Sequence, residues 1–181
     1  MTTHKKVLFL PQADAQTLIP PPRSHLISIS DGESDQAKID RTRWESVSFH
    51  HFVDGGFDEG MITACGADFQ RIYASYFLPD NAIALRQRIF DIADSADMIV
   101  VNCMYGRSRS AAVARYISEF HGFKLDRPPL EANMTVYRLL AQDPGLLMAC
   151  RQALAAAAQK NVEGEDISLS GRISRWLGIG N

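Results

Sequence analysis

Residues 98–110 read MIVVNCMYGRSRS, and the interpretation of this stretch decides the fold. Met98 to Val101 form a short apolar run, the pattern of a buried strand. A loop follows in which five residues separate Cys103 from Arg109. Behind the loop, Val113, Tyr116, Ile117 and Phe120 fall at the i, i+3, i+4, i+7 spacing of one buried helical face. A strand, a tight loop and a helix start in succession aim several backbone N–H groups at one point. Such a point binds an anion.

Each residue of the loop has a chemical use. Gly106 accepts a backbone angle that a side chain resists, so the loop can curl. Cys103 sits where amide dipoles and a helix N-terminus favour the thiolate, the nucleophilic form of the residue. Arg109 adds a permanent charge on a planar fork that matches two oxygens of a phosphate. Ser108 and Ser110 are placed to cap the helix, and a hydroxyl beside the sulfur also stabilises it. A cysteine and an arginine at this spacing also arise by chance, and a cysteine at a strand end is commonly a small core residue. The strand before, the glycine within, the serine after the arginine and the amphipathic helix behind favour the catalytic reading. A thiolate in an anion cradle implies attack on phosphorus and a phosphocysteine intermediate.

Residues 102–117, NCMYGRSRSAAVARYI, resemble the signature loop HCxxGxxRS of the cysteine-dependent protein tyrosine phosphatases. The resemblance is closest to the compact dual-specificity branch, in particular the small bacterial predicted protein tyrosine phosphatases. It implies Cys103 as nucleophile, Arg109 and Ser110 as its catalytic partners, and Asn102, Met104, Tyr105, Gly106, Arg107 and Ser108 as the lining of the phosphate site. One position departs from the pattern. Asn102 stands where the family has a histidine that organises the loop and tunes the thiolate. An asparagine retains hydrogen-bond donors, so the departure implies an altered rate.

The bulk properties set limits around this reading. A chain of 181 residues fits a single domain spanning 1–181, with enough core to be stable without staples. Hydrophobic content of 46% and charged content of 22% are those of an ordinary globular protein. A net charge of −2 supplies no basic field, so neither nucleic acid nor an anionic membrane is expected as a partner. Cys65, Cys103 and Cys150 are scattered without CxxC or His–Cys metal spacing, which predicts a reducing cytoplasmic setting and no bound metal. The apolar VLFL run near the N-terminus is cut off by Pro11 and Asp14, too short for a signal peptide or a membrane span.

In chain order, strands are predicted at Val7–Leu10, His25–Ser30 and Val47–Val53, with one or two helical turns in Ala13–Ile19 and a short helix over Gln36–Arg41. Apolar strands alternating with helices predict an α/β fold, a three-layer αβα arrangement around a mostly parallel sheet. The resemblance implies that this sheet is the phosphatase-like one. An extra helix is expected within 60–78, near the mouth of the site, and Asp80 as N-cap of the helix Asp80–Ala96 that leads to the signature strand. Leu130–Ala141 and Gly145–Lys160 are helical patterns. From 163 to 181 a glycine-rich polar tail follows, in which Trp176 and Leu177 can dock on the core.

The resembled family carries an aspartate after the third strand that protonates the leaving group. Asp54 matches that context, with Asp58 as the alternative, although the spacing from Asp54 to Cys103 is longer than is usual in the compact branch. The other reading of Asp54, before Gly55-Gly56, is an ordinary turn residue, and the acid reading leads. His50 and His51 just before it are expected to be packed or solvated. Asn133 is expected to support the loop structurally. The function expected is hydrolysis of a phosphate monoester, on a phosphorylated protein or another carrier, with no cofactor. Arg107 adds a second cation that can suit a phosphoinositide, or can simply face solvent. Two other classes remain open: a phosphatase-like module that binds phosphate without turnover, and a sulfurtransferase or arsenate reductase. The last is disfavoured by the mid-chain loop and by cysteines without evident pairing.

Overall fold

The computed structural model describes residues 5–176, and side chains as far as residue 160. In chain order its elements are β1 (Lys6–Pro11), α1 (Gln12–Thr17), β2 (Ser24–Ser30), β3 (Ser46–His51), α2 (Glu59–Cys65), α3 (Phe69–Ile72), α4 (Pro79–Ala93), β4 (Met98–Cys103), α5 (Arg109–His121), β5 (Lys124–Leu125), α6 (Met134–Leu140) and α7 (Pro144–Trp176). The chain divides into two compact units, one of Met1–Phe57 with Ser75–Asp143, the other of Asp58–Ala74 with Pro144–Asn181.

The first unit is an α/β body around a five-stranded sheet in the order β3-β2-β4-β1-β5. Every pairing is parallel. A parallel sheet is buried on both faces, which is why β4 reads as the unbroken apolar run Met98–Val101. Alternation along the strands splits the core in two. On one face lie Val7, Phe9, Ile27, Ile29, Ile99 and Val101, all buried, with α5 packed on β4 and β1. On the other, Leu8, Leu10, Leu26, Val47, Met98 and Val100 cluster with Leu18, Ile39 and Trp44, where α1 and the turns before β3 cover the sheet. Helices flank both faces, as the sequence predicts.

Parallel register also decides where the site lies. Pro11 stands opposite Cys103 and Ser28 opposite Asn102, so β1, β2 and β4 end together. The loops leaving their C-terminal ends share one end of the sheet, the end at which open α/β folds bind ligands. β3 ends beside β2, with His51 opposite Ser30, and brings the Asp54 segment to the same end.

Several local predictions are corrected. In place of a helix over Gln36–Arg41 there are two single 3₁₀ turns, Glu33–Asp35 and Arg41–Arg43; the second is capped by Asp40, which accepts the Thr42 N–H. Asp80 lies in the first turn of α4 and does not cap it. Pro79 takes the first helical position, and the Asn81 side chain accepts the Leu78 N–H at 2.9 Å. Leu130–Ala132 precede α6 as turn and loop, because Asn133 caps that helix by accepting the Val136 N–H at 3.1 Å.

In the second unit the helical pattern of 60–78 becomes two short helices. Gly66 at φ +52° ends α2, and a 3₁₀ turn over Gly66–Asp68 leads into α3. Asp58 caps α2 by accepting the Met61 N–H at 2.8 Å. Ile62, Phe69, Leu146, Cys150 and Ala153 are buried where α2, α3 and α7 meet. The last helix runs on to Trp176, through residues expected as tail. Leu177 and the Trp176 side chain lie outside the described residues.

Candidate active site

β4 delivers Cys103, 2% exposed, to the start of the loop. Gly106 makes the curl with φ +65°, and a Cβ there would lie 2.1 Å from the Pro11 nitrogen and 2.2 Å from the Leu10 carbonyl carbon. Both the angle and the closeness to the end of β1 therefore require glycine. The back of the loop is held by Arg127, whose Nη2 donates to the Gly106 carbonyl at 3.1 Å and the Phe9 carbonyl at 2.6 Å. Its guanidinium lies 4.3 Å from the Phe9 ring centroid. The Met104 carbonyl accepts from Gln12 N–H at 3.3 Å.

Three backbone N–H groups face the Cys103 sulfur. Burial pushes the Cys103 thiol up, but the Ser110 hydroxyl and the backbone N–H groups of Ser110, Arg107 and Gly106 outweigh it and hold the thiol below its ordinary value. Ser110 Oγ is 3.2 Å from Sγ. Cys150, in the second unit, shows what burial does without donors: it is pushed up to about 11, by desolvation first and Glu59 second. The two buried cysteines are thus shifted in opposite directions, Cys103 down and Cys150 up.

Arg109 is 4% exposed, and its Nη1 donates to Asp31 Oδ1 at 2.6 Å and to the Phe52 carbonyl at 2.5 Å. A buried guanidinium needs such partners to offset its desolvation. Its Nε is buried and has no partner among the described residues. A buried N–H without an acceptor is costly and points to a ligand or water. Arg109 is thus anchored through Nη1, with Nε buried and unpartnered among the described residues.

The side chain of Asp54 joins the same loop. Its Oδ1 accepts from Ser108 Oγ at 2.7 Å and from Asn133 Nδ2 at 3.1 Å. The Asn133 backbone N–H also donates to the Ser108 carbonyl at 3.2 Å, so Asn133 meets the loop directly and, through Asp54, indirectly. Ser108 stands at the N-cap of α5, but its hydroxyl is spent on Asp54 instead of the helix. Of the two acid candidates, Asp54 reaches the loop, and Asp58 is engaged as the cap of α2.

The remaining predicted residues fall as follows. Asn102 is fully buried, and neither atom of its amide has a partner among the described residues. The side chain that holds the loop is that of Arg127, through the Gly106 carbonyl. Met104 and Tyr105 are exposed at 45% and 72%. Arg107 faces solvent, 3.5 Å from Glu131 and stacked 5.6 Å from the Tyr105 ring centroid. His50 is packed against Ser48 and held down at about 4, by burial first and then by Arg88 and His51. Among the described residues no group of His, Cys, Asp and Glu is arranged to hold a metal. Among them, too, no helix is long and apolar enough to cross a membrane.

Sequence reasoning missed Asp31 and Arg127. Asp31 carries a usable signal: it directly follows β2, and parallel strands that end together bring their next residues to one place. Arg127 carries none, because its approach depends on the path after β5. No protein-family model and no curated protein sequence matches the chain. Chemically, the site combines a depressed thiol, a ring of N–H donors, a buried cation and a carboxylate at the rim.

Proposed function

We propose that the chain is a cysteine-dependent phosphatase, similar to the dual-specificity branch of the protein tyrosine phosphatases, that hydrolyses phosphate monoesters. The observation that carries this reading is one loop that holds a buried Cys103, with Ser110 Oγ 3.2 Å from its sulfur, and a buried, anchored Arg109. In the first step the Cys103 thiolate attacks phosphorus. The S–P bond forms, the P–O bond to the leaving group breaks, and Asp54 gives its proton to the departing oxygen. The loop amides and Arg109 stabilise the charge on the three equatorial oxygens. In the second step water attacks phosphorus and the S–P bond breaks. The water's proton returns to Asp54 and the thiolate is regenerated. Both of the Asp54 donors meet Oδ1, which leaves Oδ2 to carry the proton.

Three free cysteines fit a reducing cytoplasm. The test is turnover of an aryl phosphate by Cys103→Ser: loss is expected, and turnover at the wild-type rate would remove the nucleophile from the account. One observation favours a second reading. Asp31 occupies Arg109 with a carboxylate, as in a module that binds phosphate weakly and does not turn over. Binding of inorganic phosphate with no hydrolysis at any pH would select that reading.

A further inference from the structure

The segment from Val53 to Phe57, which carries Asp54, is fastened at Val53, Asp54, Gly55 and Phe57. Val53 N–H donates to the Ser75 carbonyl at 2.9 Å. Asn133 Nδ2 reaches Asp54 Oδ1 at 3.1 Å and the Gly55 carbonyl at 3.0 Å. Thr135 makes two bonds to one residue: its Oγ1 accepts the Phe57 N–H at 3.0 Å and donates to the Phe57 carbonyl at 2.9 Å. Thr135 is buried in the second position of α6, so this clip is sheltered from water.

The two glycines beside the acid take their meaning from this clip. Neither has a positive φ, so backbone angle does not require them. A Cβ on Gly55 would lie 2.4 Å from Cε1 of the Tyr76 ring, and one on Gly56 would lie 2.8 Å from Thr135 Oγ1. Glycine is needed because the segment is pressed against its neighbours. Asn133 meanwhile binds the Ser108 carbonyl through its N–H, so the start of α6 grips both the anion loop and the acid segment.

We propose that Thr135 is a positioning residue for leaving-group protonation. With Asn133, it holds Asp54 against the anion loop before substrate arrives, in a site assembled without closure of a lid. The inference rests on the phosphatase reading above and assigns a task to a residue that touches neither sulfur nor phosphate. Misplacement of an acid by about 1 Å is enough to cost a large part of its effect.

The experiment compares two aryl phosphates, one with a poor leaving group that needs the proton and one with a good leaving group that does not. Thr135→Val keeps the shape and removes both bonds. It is expected to lower kcat/KM, which reports formation of the phosphocysteine and not its hydrolysis, about tenfold for the poor leaving group and to leave kcat/KM for the good one within about twofold. Thr135→Ser, which keeps the hydroxyl, restores the loss. Gly56→Ala removes no hydrogen-bonding group, yet pushes on Thr135 Oγ1, and is expected to show the same selective loss. Equal losses for both leaving groups, or none for either, overturn the proposal while leaving the phosphatase reading intact, provided Cys103→Ser is inactive in the same assay. No turnover by the wild-type protein, or turnover unaffected by Cys103→Ser, overturns both.

Discussion

Replacing Ser110 by alanine removes one side-chain donor from the Cys103 sulfur and leaves the three loop amides in place. The hydroxyl lies 3.2 Å from Sγ in a buried setting, and a hydrogen bond to a charged acceptor is worth about 1.5–3 kcal/mol. Taking the lower end, about 1.5 kcal/mol, the thiol's ionisation constant falls a little over tenfold, about one decade, in Ser110→Ala. The sign then depends on pH. Below the midpoint of the wild-type thiol the variant has about a tenth of the thiolate, but each thiolate is about threefold more nucleophilic, since nucleophilicity rises with basicity with a slope of about 0.45. Reaction of Cys103 with a small aromatic disulfide is therefore about threefold slower in the variant at low pH and about threefold faster where both thiols are ionised. The two rate–pH curves cross. The rate is read at the Cys103 peptide by mass spectrometry, because Cys65 and Cys150 are also free thiols. Curves that superimpose, or a variant that is slower at every pH, would refute the claim that Ser110 stabilises the thiolate. Folding stability is linked to the same group. The folded thiol lies below its ordinary value, so its contribution is fully present above the unfolded thiol's midpoint and is lost as pH falls through the folded one.

Three further perturbations test other parts of the site. Asp54→Asn is expected to slow a poor leaving group by about 10²-fold or more and a good one far less, measured as kcat/KM across a series of aryl phosphates. An equal effect across the series moves the acid role elsewhere. Asp31→Asn removes the charge opposite Arg109, and because Asp31 is 56% exposed the stability loss should be modest, about 1 kcal/mol, seen by thermal unfolding. KM is expected to rise as Arg109 loses its anchor, and an unchanged KM would show that Phe52 holds the guanidinium alone. Gly106→Ala meets backbone of β1 at 2.1 Å and a left-handed φ that alone costs about 1–2 kcal/mol. Lower unfolding temperature together with loss of phosphate binding is the expected result.

What the sequence reveals follows from which interactions are local. Cys103, Gly106, Ser110 and Arg109 lie within one loop and its helix, and their convergence follows from strand–loop–helix geometry alone. Asp54 is reachable through strand order, but its tie to Ser108 spans 54 residues of sequence and shows only in the folded chain. Asp31, Arg127 and Thr135 act through register and through loop paths, and no periodicity reports these. The strands are legible because a doubly covered parallel sheet leaves apolar runs, as in Met98–Val101 on β4. Helix ends are less so. Gly66 divides an apolar pattern that looks continuous, and Pro79 displaces Asp80 from the cap. At the C-terminus, Gly164 and Gly171 suggest a tail, yet α7 runs through both to Trp176.

The central claim is that phosphate passes through Cys103. Acid quench of the wild-type protein during turnover of an aryl phosphate, followed by peptide mass analysis, tests it directly. The account predicts one phosphate on the peptide containing Cys103, accumulating further in Asp54→Asn with a good leaving group because hydrolysis of the intermediate loses its base. Steady turnover with no phosphate on Cys103, or with phosphate on another residue, would contradict it.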